Sequence, residues 1–437
     1  MTVSQLITLA VLAAVVVALV WDKLRSDVVA LAGAAVLLMA GVVRPVEVQG
    51  AFASPAIIAL ASLFVIAYAM ELSGPLDAAI RQVTRLCQRI GKAGLWLLIG
   101  LSGAASAFLN NTPIVVLGAP VVRDAAKSLG LSPKPFLIPL SYAAVLGGCC
   151  TLIGTSTNLL VNDMASVSGQ PRFGIFEITP VGVVVALSGA VYLVLFSKRL
   201  VRDDDADRER QVSDQDRLRE PGLAGGQIGS ALSFAEHSRL RPAAALASAT
   251  VFVGVVTLAA LDVAPIAACA FAGAVLLILM RVITAEEAYS GLRPEVLMLI
   301  AGMVVLGIAL DVTGLAGAVT RVLIGSLDDI SPVVALIIIY GATLFATELL
   351  SNATVAVLFT PIAVSLAEAL QVSPRPFLVA VMIAGSAAFA TPFGYQTNVL
   401  VYQMGRYNYL DFVRIGIPLN LITWIAGVIA IRYYFPF

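Results

Sequence analysis

Charged residues are scarce in this chain of 437 residues. They make up 12% of it, against roughly 25% in ordinary soluble domains. The 27 Lys and Arg balance the 27 Asp and Glu, and this neutrality excludes a nucleic-acid binder, which would need a basic surface. The single histidine, His237, excludes histidine-based catalytic triads and most zinc sites.

Cysteine pairs with metal-ligand spacing are also missing. We interpret the four cysteines as small apolar packing residues: Cys87, Cys149, Cys150 and Cys269. Apolar residues, in contrast, make up 59% of the chain, and the mean hydropathy is +0.96. The composition therefore predicts an all-α polytopic membrane protein rather than an enzyme dissolved in water.

The few charges are concentrated in one segment. Residues 198–241 carry nine basic and nine acidic side chains, a third of the charges of the chain. This segment has too few large apolar residues to build a core. We interpret it as a hydrophilic linker between a first transmembrane repeat, residues 1–197, and a second, residues 242–437.

Each half contains five apolar runs of the length that crosses a hydrocarbon layer of about 30 Å. In the first half they are Leu6–Trp21, Val28–Val43, Ala56–Leu72, Phe136–Val161 and Ile178–Phe196. In the second half they are Ala243–Leu261, Pro265–Met280, Val296–Val312, Phe377–Met404 and Phe412–Tyr433. One further stretch in each half, Leu95–Val122 and Val333–Val364, is interrupted by a polar cluster.

The two halves are copies of each other. A shift of 240 or 241 residues aligns Leu131–Leu137 with Val372–Leu378, and five of these seven residues are identical. A shift of 240 residues aligns Thr151–Val161 with Thr391–Val401, and six of these eleven residues are identical. Matching short segments that keep nearly the same register in both halves indicate an internal duplication.

The distribution of basic residues predicts how the halves insert. Basic residues lie on both sides of Leu95–Val122, so the positive-inside rule makes this stretch a re-entrant hairpin that enters and leaves on the cytoplasmic side. With one hairpin per half, five crossings remain in each, and the second repeat is inverted relative to the first. The linker is then cytoplasmic, both termini lie outside, and 22 of the 27 basic residues face the cytoplasm. The other five are Arg44, Arg172, Arg321, Arg375 and Arg432.

Inverted repeats with interrupted helices are typical of secondary transporters, whose binding sites lie near the middle of the membrane. Irregular backbone persists at that depth only where protein or a water-filled cavity satisfies it. Asn, Ser and Thr oxygens can bind a hard cation such as Na⁺, and free N–H groups at helix ends attract anions.

The polar clusters carry a family resemblance. The two hairpin tips read Asn110-Asn111-Thr112 and Ser351-Asn352-Ala353-Thr354, and the two helix breaks contain Thr155–Asn158 and Gln396–Asn398. These motifs resemble those of the divalent anion:sodium symporter family of the ion transporter superfamily. The chain is most similar to the branch related to sodium/sulfate symporters with regulatory linker domains, although its linker is too short to contain them.

The resemblance implies a plasma (inner) membrane homodimer that couples transport of a small inorganic or dicarboxylate anion to Na⁺. It implies two Na⁺ sites, formed by Ser106, Asn110, Asn111 and Gly154 and by Thr347, Ser351, Asn352 and Gly394. It implies that the anion lies between the tips and the breaks, near Asn111, Thr112, Thr157, Asn158, Asn352, Thr354, Thr397 and Asn398.

Two departures from the family pattern bear on the substrate. Asn110 stands where the family has serine, and Ala353 stands where it has threonine. Because Ala353 offers no hydroxyl for the second carboxylate of a linear substrate, sulfate is favoured over a C4-dicarboxylate.

Two other functions remain open from the sequence. An arsenite transporter or Na⁺/H⁺ exchanger of the same superfamily would need a titratable group, for which Glu348 is the candidate. The interpretation that we favour places Glu348 near the outer mouth or in a hydrogen bond to a helix end, without a role in transport. A channel is disfavoured by the two polar-tipped hairpins.

Overall fold

The computed structural model describes residues 2–21, 23–74, 90–200, 241–325 and 331–437. Nearly all of the predicted linker lies outside these residues, as does Cys87. The described residues form helices connected by turns, with no strands among them. The predicted all-α architecture of a membrane protein is confirmed.

The first half begins with four helices and continues, after residues 75–89, with five more. They are α1 (Val3–Trp21), α2 (Ser26–Met39), α3 (Pro45–Phe52), α4 (Pro55–Ser73), α5 (Lys92–Ser106), α6 (Asn111–Ser128), α7 (Lys134–Gly148), α8 (Ser156–Val167) and α9 (Thr179–Leu200).

The second half repeats this order. Its helices are α10 (Pro242–Ala260), α11 (Ile266–Leu279), α12 (Ala285–Gly291), α13 (Pro294–Val312), α14 (Leu315–Gly325), α15 (Pro332–Thr347), α16 (Asn352–Ala369), α17 (Arg375–Ala384), α18 (Gln396–Gly405) and α19 (Tyr409–Tyr434). Each of α1 to α9 has a counterpart about 240 residues later. Helix α14 aligns in sequence with residues 75–85, which lie outside the described residues.

The packing between the halves is reciprocal. Helix α2 packs against α13 and α11 packs against α4, while α6 packs against α18 and α16 packs against α8. Helices α9 and α19, which are themselves counterparts, pack against each other. Exchange of the two halves therefore leaves the contact pattern nearly unchanged, as an internal two-fold relation requires. The inverted insertion in the bilayer stays a prediction.

Several predicted crossings are shorter as helices than as apolar runs. Six described helical segments are long and apolar enough to span a membrane: Pro45–Ser73, Thr179–Ser197, Pro242–Ala260, Pro294–Val312, Asn352–Ala369 and Tyr409–Tyr434. Helix α2, in contrast, has 14 residues and is about 21 Å long at 1.5 Å per residue. It ends at Met39 because the chain turns there, with Gly41 at a φ of +69°. The number of crossings stays a prediction.

Both interrupted stretches form helical hairpins. Helices α5 and α6 pack against each other and are joined by residues 107–110, and α15 and α16 pack against each other and are joined by residues 348–351. The next helix of each half is broken: α7 and α8 are separated by residues 149–155, and α17 and α18 by residues 385–395. The turns and breaks fall at the polar clusters of the sequence.

Buried aromatic residues hold the second break against the first half. Tyr142 on α7 is fully buried, and its hydroxyl donates to the carbonyl oxygen of Phe389. The rings of Tyr142 and Phe389 lie 5.0 Å apart, and Phe412 on α19 packs edge-on against Tyr142. The irregular backbone of the second break therefore packs against buried aromatic side chains.

Candidate functional site

Four helix N-termini meet where the halves contact each other. Helices α6 and α16 begin at the hairpin tips, and α8 and α18 begin after the breaks. Because α6 packs on α18 and α16 on α8, each tip lies beside the broken helix of the opposite half. The first N–H groups of a helix have no partner within it and carry partial positive charge. This arrangement favours an anion.

The first tip places an amide oxygen against a hydroxyl. The Ser106 hydroxyl at the end of α5 donates to Asn111 Oδ1 at 2.5 Å, and both side chains are buried. The preceding residue, Asn110, caps α6 by accepting from the Thr112 N–H at 3.4 Å. The Thr151 hydroxyl donates to the carbonyl oxygen of Ala107 and ties the first break to this tip.

Gly148, at the end of α7, and Gly154, in the first break, let oxygen atoms approach closely because neither residue has a Cβ. A Cβ on Gly148 would lie 2.7 Å from Asn111 Oδ1 and 3.2 Å from the Gly154 carbonyl oxygen. A Cβ on Gly154 would lie 2.5 Å from the Gly148 carbonyl oxygen and 2.9 Å from that of Ala107. Neutral oxygens at such spacing are the ligands that a hard cation prefers. The geometry could therefore hold Na⁺ here.

The second tip repeats the amide–hydroxyl pair. The Thr347 hydroxyl donates to Asn352 Oδ1 at 2.9 Å and lies 2.8 Å from the carbonyl oxygen of Gly385. Ser351 caps α16 by accepting from the Thr354 N–H at 3.3 Å, and the two hydroxyls are 2.8 Å apart. Three oxygens, from Thr347, Asn352 and Gly385, thus converge at the second tip.

The break asparagines hold the irregular backbone. Asn158 Nδ2 donates to the Thr151 carbonyl oxygen at 2.9 Å, and Asn398 Nδ2 donates to that of Ala388 at 2.8 Å. Asn398 Oδ1 accepts from the Ser141 hydroxyl at 2.7 Å, whereas Asn158 Oδ1 is buried without a hydrogen-bond partner among the described residues. Asn398 is therefore fully engaged within the protein, and Asn158 keeps one acceptor for a ligand.

The remaining predicted residues lie around these groups. Thr157 and Thr397 are buried at the starts of α8 and α18, and the Thr397 hydroxyl oxygen lies 2.8 Å from that of Ser141. Gly394 lies near the second tip, because a Cβ on it would be 3.5 Å from the Thr347 carbonyl oxygen. The structure thus brings all the predicted residues to the two tips and the two breaks.

The residues that follow the two asparagines differ between the tips. Thr112 is partly exposed, and its hydroxyl lies 3.5 Å from Gln396 Oε1. Thr354 is fully buried, and its hydroxyl is paired with Ser351. A group placed between the tips can therefore meet a hydroxyl at the first tip more readily than at the second.

Sequence reasoning missed several contributors. Tyr395 accepts from Asn111 Nδ2 at 2.9 Å and so joins the first tip to the second break. The duplication aligns Tyr395 and Gln396 with Thr155 and Ser156, so the sequence already marked both positions as part of the second break. The Gly385 carbonyl oxygen has no such signal, because every residue has a carbonyl and only the end of α17 frees this one.

Some buried polar atoms near the second tip have no partner within the described part of the chain. These are Asn352 Nδ2 and the Ser386 hydroxyl oxygen, in addition to Asn158 Oδ1. Burial of a polar atom without a hydrogen bond is costly. Such atoms around a tip are therefore candidates for contact with a bound ligand.

Three curated relatives share extensive or local similarity with the chain. The uncharacterised transporter sll0640 of Synechocystis sp. is 25% identical over 583 aligned positions, which cover 96% of this chain and 95% of the relative. The sodium-dependent dicarboxylate transporter SdcS of Staphylococcus saprophyticus is 24% identical over 433 positions, which cover 92% and 80% of the two chains. The probable sodium/sulfate cotransporter 3 of Chlamydomonas reinhardtii is 48% identical over 103 positions, 22% of this chain and 12% of that protein.

A solved structure shows the same fold. The YdaH transporter of Alcanivorax borkumensis matches with a TM-score of 0.59 at 13% identity, over 89% of this chain and 87% of that one. The family described as "CitMHS: Citrate transporter" matches residues 16–372 and 349–437. The expected resemblance to sodium-coupled divalent-anion transporters is confirmed, and so is the expectation that the protein is not an enzyme. The chain is a multi-pass membrane protein and belongs to the CitMHS family of citrate transporters.

Proposed function

We propose that the protein is a Na⁺-coupled symporter that carries a compact divalent oxyanion, sulfate in preference to C4-dicarboxylates, by alternating access. The pair of buried amide–hydroxyl contacts, one at each hairpin tip, carries this proposal. Each pair lies beside freed backbone carbonyls and at the N-terminus of a helix. The names of the sodium/sulfate and sodium-dependent dicarboxylate relatives support the same function.

The two Na⁺ ions bind at the two tips. The first site uses the Ser106 hydroxyl, Asn111 Oδ1 and the Gly154 carbonyl oxygen, joined by the carbonyl oxygens of Ala107 and Gly148. The second site uses the Thr347 hydroxyl, Asn352 Oδ1 and the Gly385 carbonyl oxygen. Asn110 and Ser351 cap the adjoining helices, and Gly394 lets the second break approach its tip.

The anion lies between the tips, among the four helix N-termini. Its hydrogen bonds come from Thr112, Asn352 Nδ2 and the free N–H groups at the start of α8 and α18, with Thr157 and Asn158 close by. These groups are neutral, so a dianion leaves a large uncompensated charge at membrane depth, where charge is costly. Two bound Na⁺ ions would cancel that charge, which is why coupling to Na⁺ follows from the composition of the site.

The difference in available hydroxyl groups between the two hairpin tips supports sulfate as the substrate. A linear dicarboxylate needs donors for a carboxylate at each tip, and each unpaired anionic end loses its hydration without replacement. At the second tip Ala353 has no hydroxyl and the Thr354 hydroxyl is engaged with Ser351. Sulfate is compact enough to take its hydrogen bonds from the first tip and the helix ends.

Uptake into proteoliposomes tests the function. Purified protein should accumulate radiolabelled sulfate when an inward Na⁺ gradient is imposed and should not do so when K⁺ replaces Na⁺. Unlabelled succinate and citrate should compete less well than unlabelled sulfate. Equal uptake without Na⁺ would contradict the coupling, and Na⁺-driven uptake of succinate but not sulfate would contradict the substrate preference.

The exchanger alternative receives no support from Glu348. Both carboxylate oxygens of this residue accept hydrogen bonds from amide N–H groups of the protein. The carboxylate is therefore occupied in holding the backbone, and we favour the symporter over an arsenite or Na⁺/H⁺ exchanger.

The topology and assembly belong to the same proposal. We infer a cytoplasmic linker, both termini outside and a homodimer in the plasma (inner) membrane. Cysteines introduced at Ser213 and Phe437 in a cysteine-free background should react with impermeant reagents from opposite sides of the membrane. Reaction from one side would contradict the inverted repeat.

A further inference from the structure

Glu348 lies at the turn of the second hairpin, between α15 and the cap residue Ser351. Its carboxylate accepts from the backbone N–H groups of Phe389 at 2.8 Å, Ala390 at 2.7 Å and Thr391 at 2.9 Å. A fourth donor is the side-chain amide of Asn420 on α19, at 2.8 Å. One side chain thus satisfies three successive N–H groups of the second break.

The first half has no such carboxylate. The position that corresponds to Glu348 is Ala107, although the backbone contact is conserved: Thr151 donates to the carbonyl oxygen of Ala107 as Thr391 donates to that of Glu348. The asymmetry therefore lies in the side chain and not in the way the hairpin meets the break.

The two breaks also differ in length. Seven residues separate Gly148 from Ser156, but eleven separate Ala384 from Gln396. In the first half the N–H groups of Cys149 and Cys150 bond to carbonyls of their own helical turn, those of Val145 and Gly147. The matching N–H groups of Phe389 and Ala390 bond to Glu348 instead. The carboxylate thus replaces about one turn of helix, since a turn contains 3.6 residues.

The longer break changes the second cation site. Because α17 ends at Ala384, the Gly385 carbonyl oxygen is free to approach the Thr347 hydroxyl at 2.8 Å. In addition, Glu348 follows Thr347, a ligand of the second site, whereas the residue that follows Ser106 in the first site is Ala107, which carries no charge. Attraction between unlike charges is strong where water is excluded.

We propose that Glu348 is a positioning residue that keeps the second break unwound and makes the second cation site the tighter of the two. This inference rests on the proposed Na⁺ coupling. In transport it means that the two Na⁺ ions bind in order, first at the second tip and then at the first.

Glu348→Gln tests the inference, because glutamine keeps the size of the side chain but removes the charge and turns one acceptor into a donor that faces the Thr391 N–H. The Na⁺ half-saturation for uptake should rise about tenfold, the size of effect typical for loss of a hydrogen bond to a charged group. The sulfate half-saturation at saturating Na⁺ should change much less. Deuterium exchange at residues 386–395 should become faster.

Two further variants serve as controls. Glu348→Asp keeps the charge and should retain part of the Na⁺ affinity, and it also serves if the glutamine variant does not fold. Glu368→Gln removes an exposed carboxylate on α16 of the same half and should behave as wild type. If uptake by the wild type depends on Na⁺ and the Na⁺ half-saturation of Glu348→Gln is unchanged, the inference about Glu348 is wrong while the proposed function stands. A wild type that ignores Na⁺ would instead overturn the proposed function, and deuterium exchange would still decide whether Glu348 holds the break.

Discussion

A single added methyl group should abolish the first cation site. Gly148 is the last residue of α7, so alanine fits its backbone. The new Cβ would lie 2.7 Å from Asn111 Oδ1 and 3.2 Å from the Gly154 carbonyl oxygen. Oxygen ligands of a hard cation lie at about 2.3–2.6 Å, so a methyl group this close to two of the proposed ligands would intrude on the space of the ion.

The expected effect of Gly148→Ala is large and specific for Na⁺. The half-saturation for Na⁺ should rise at least tenfold, or the Hill coefficient for Na⁺ should fall toward one. Bound Na⁺ raises the free energy of unfolding of the protein. If one site binds Na⁺ tenfold more weakly, this increase is smaller by about 1.4 kcal/mol at saturating Na⁺. Thermal unfolding in detergent across a Na⁺ series measures this gain without any transport.

Gly118→Ala is the matched control. This glycine lies on α6, and a Cβ there would meet Leu140 at an ordinary contact distance of 3.5 Å. The control should keep wild-type Na⁺ dependence and gain up to about 1 kcal/mol of helix stability. The reasoning would be refuted if Gly148→Ala folded and showed the same Na⁺ response as Gly118→Ala.

Three smaller changes test other parts of the structure. Ser54→Ala removes the buried hydroxyl that donates to Asp163 Oδ2 at 2.5 Å and should destabilise the protein by about 1–3 kcal/mol, measured by thermal unfolding; an unchanged melting temperature would argue against this contact. Tyr395→Phe removes the partner of Asn111 Nδ2 and should raise the Na⁺ half-saturation severalfold with little change in melting temperature. Ala353→Thr should shift competition uptake from sulfate toward succinate, and an unaltered preference would mean that residue 353 does not face the anion.

The positions of the tips and breaks could be predicted from the sequence for a clear physical reason. Asn, Ser and Thr side chains are costly inside an apolar chain unless they bind something, so their repeated clusters stand out against the background. The spacing of 240 or 241 residues then paired Ser106 with Thr347 and Asn111 with Asn352. The structure gives both pairs the same hydrogen bond, from hydroxyl to amide oxygen.

Helix ends were harder to predict than polar clusters. In the apolar run Phe377–Met404, Gly385 follows the last residue of α17, but the sequence does not show that a carboxylate in the hairpin turn, 41 residues before Phe389, accepts from the N–H groups of the break. The short helices α3 and α12 were missed for a related reason. They lie in the polar turns between apolar runs, where capping contacts such as Thr284 with Glu287 define the helix.

The internal duplication predicts two equivalent cation sites. The surroundings of the two sites nevertheless differ, because neighbouring residues outside the repeated motif are not the same. Asn111 and Asn352 are equivalent in sequence, but Asn111 Nδ2 meets Tyr395 of the opposite half, whereas Asn352 Nδ2 has no partner among the described residues. The counterpart of Tyr395 is Thr155, whose shorter side chain has a different reach. A transporter for a symmetric anion could keep both tips alike, but one that binds two cations in order needs them to differ. The differences at Glu348 and Tyr395 lie beside the tips, and we expect them to give the two cation sites different affinities although the amide–hydroxyl pairs are alike.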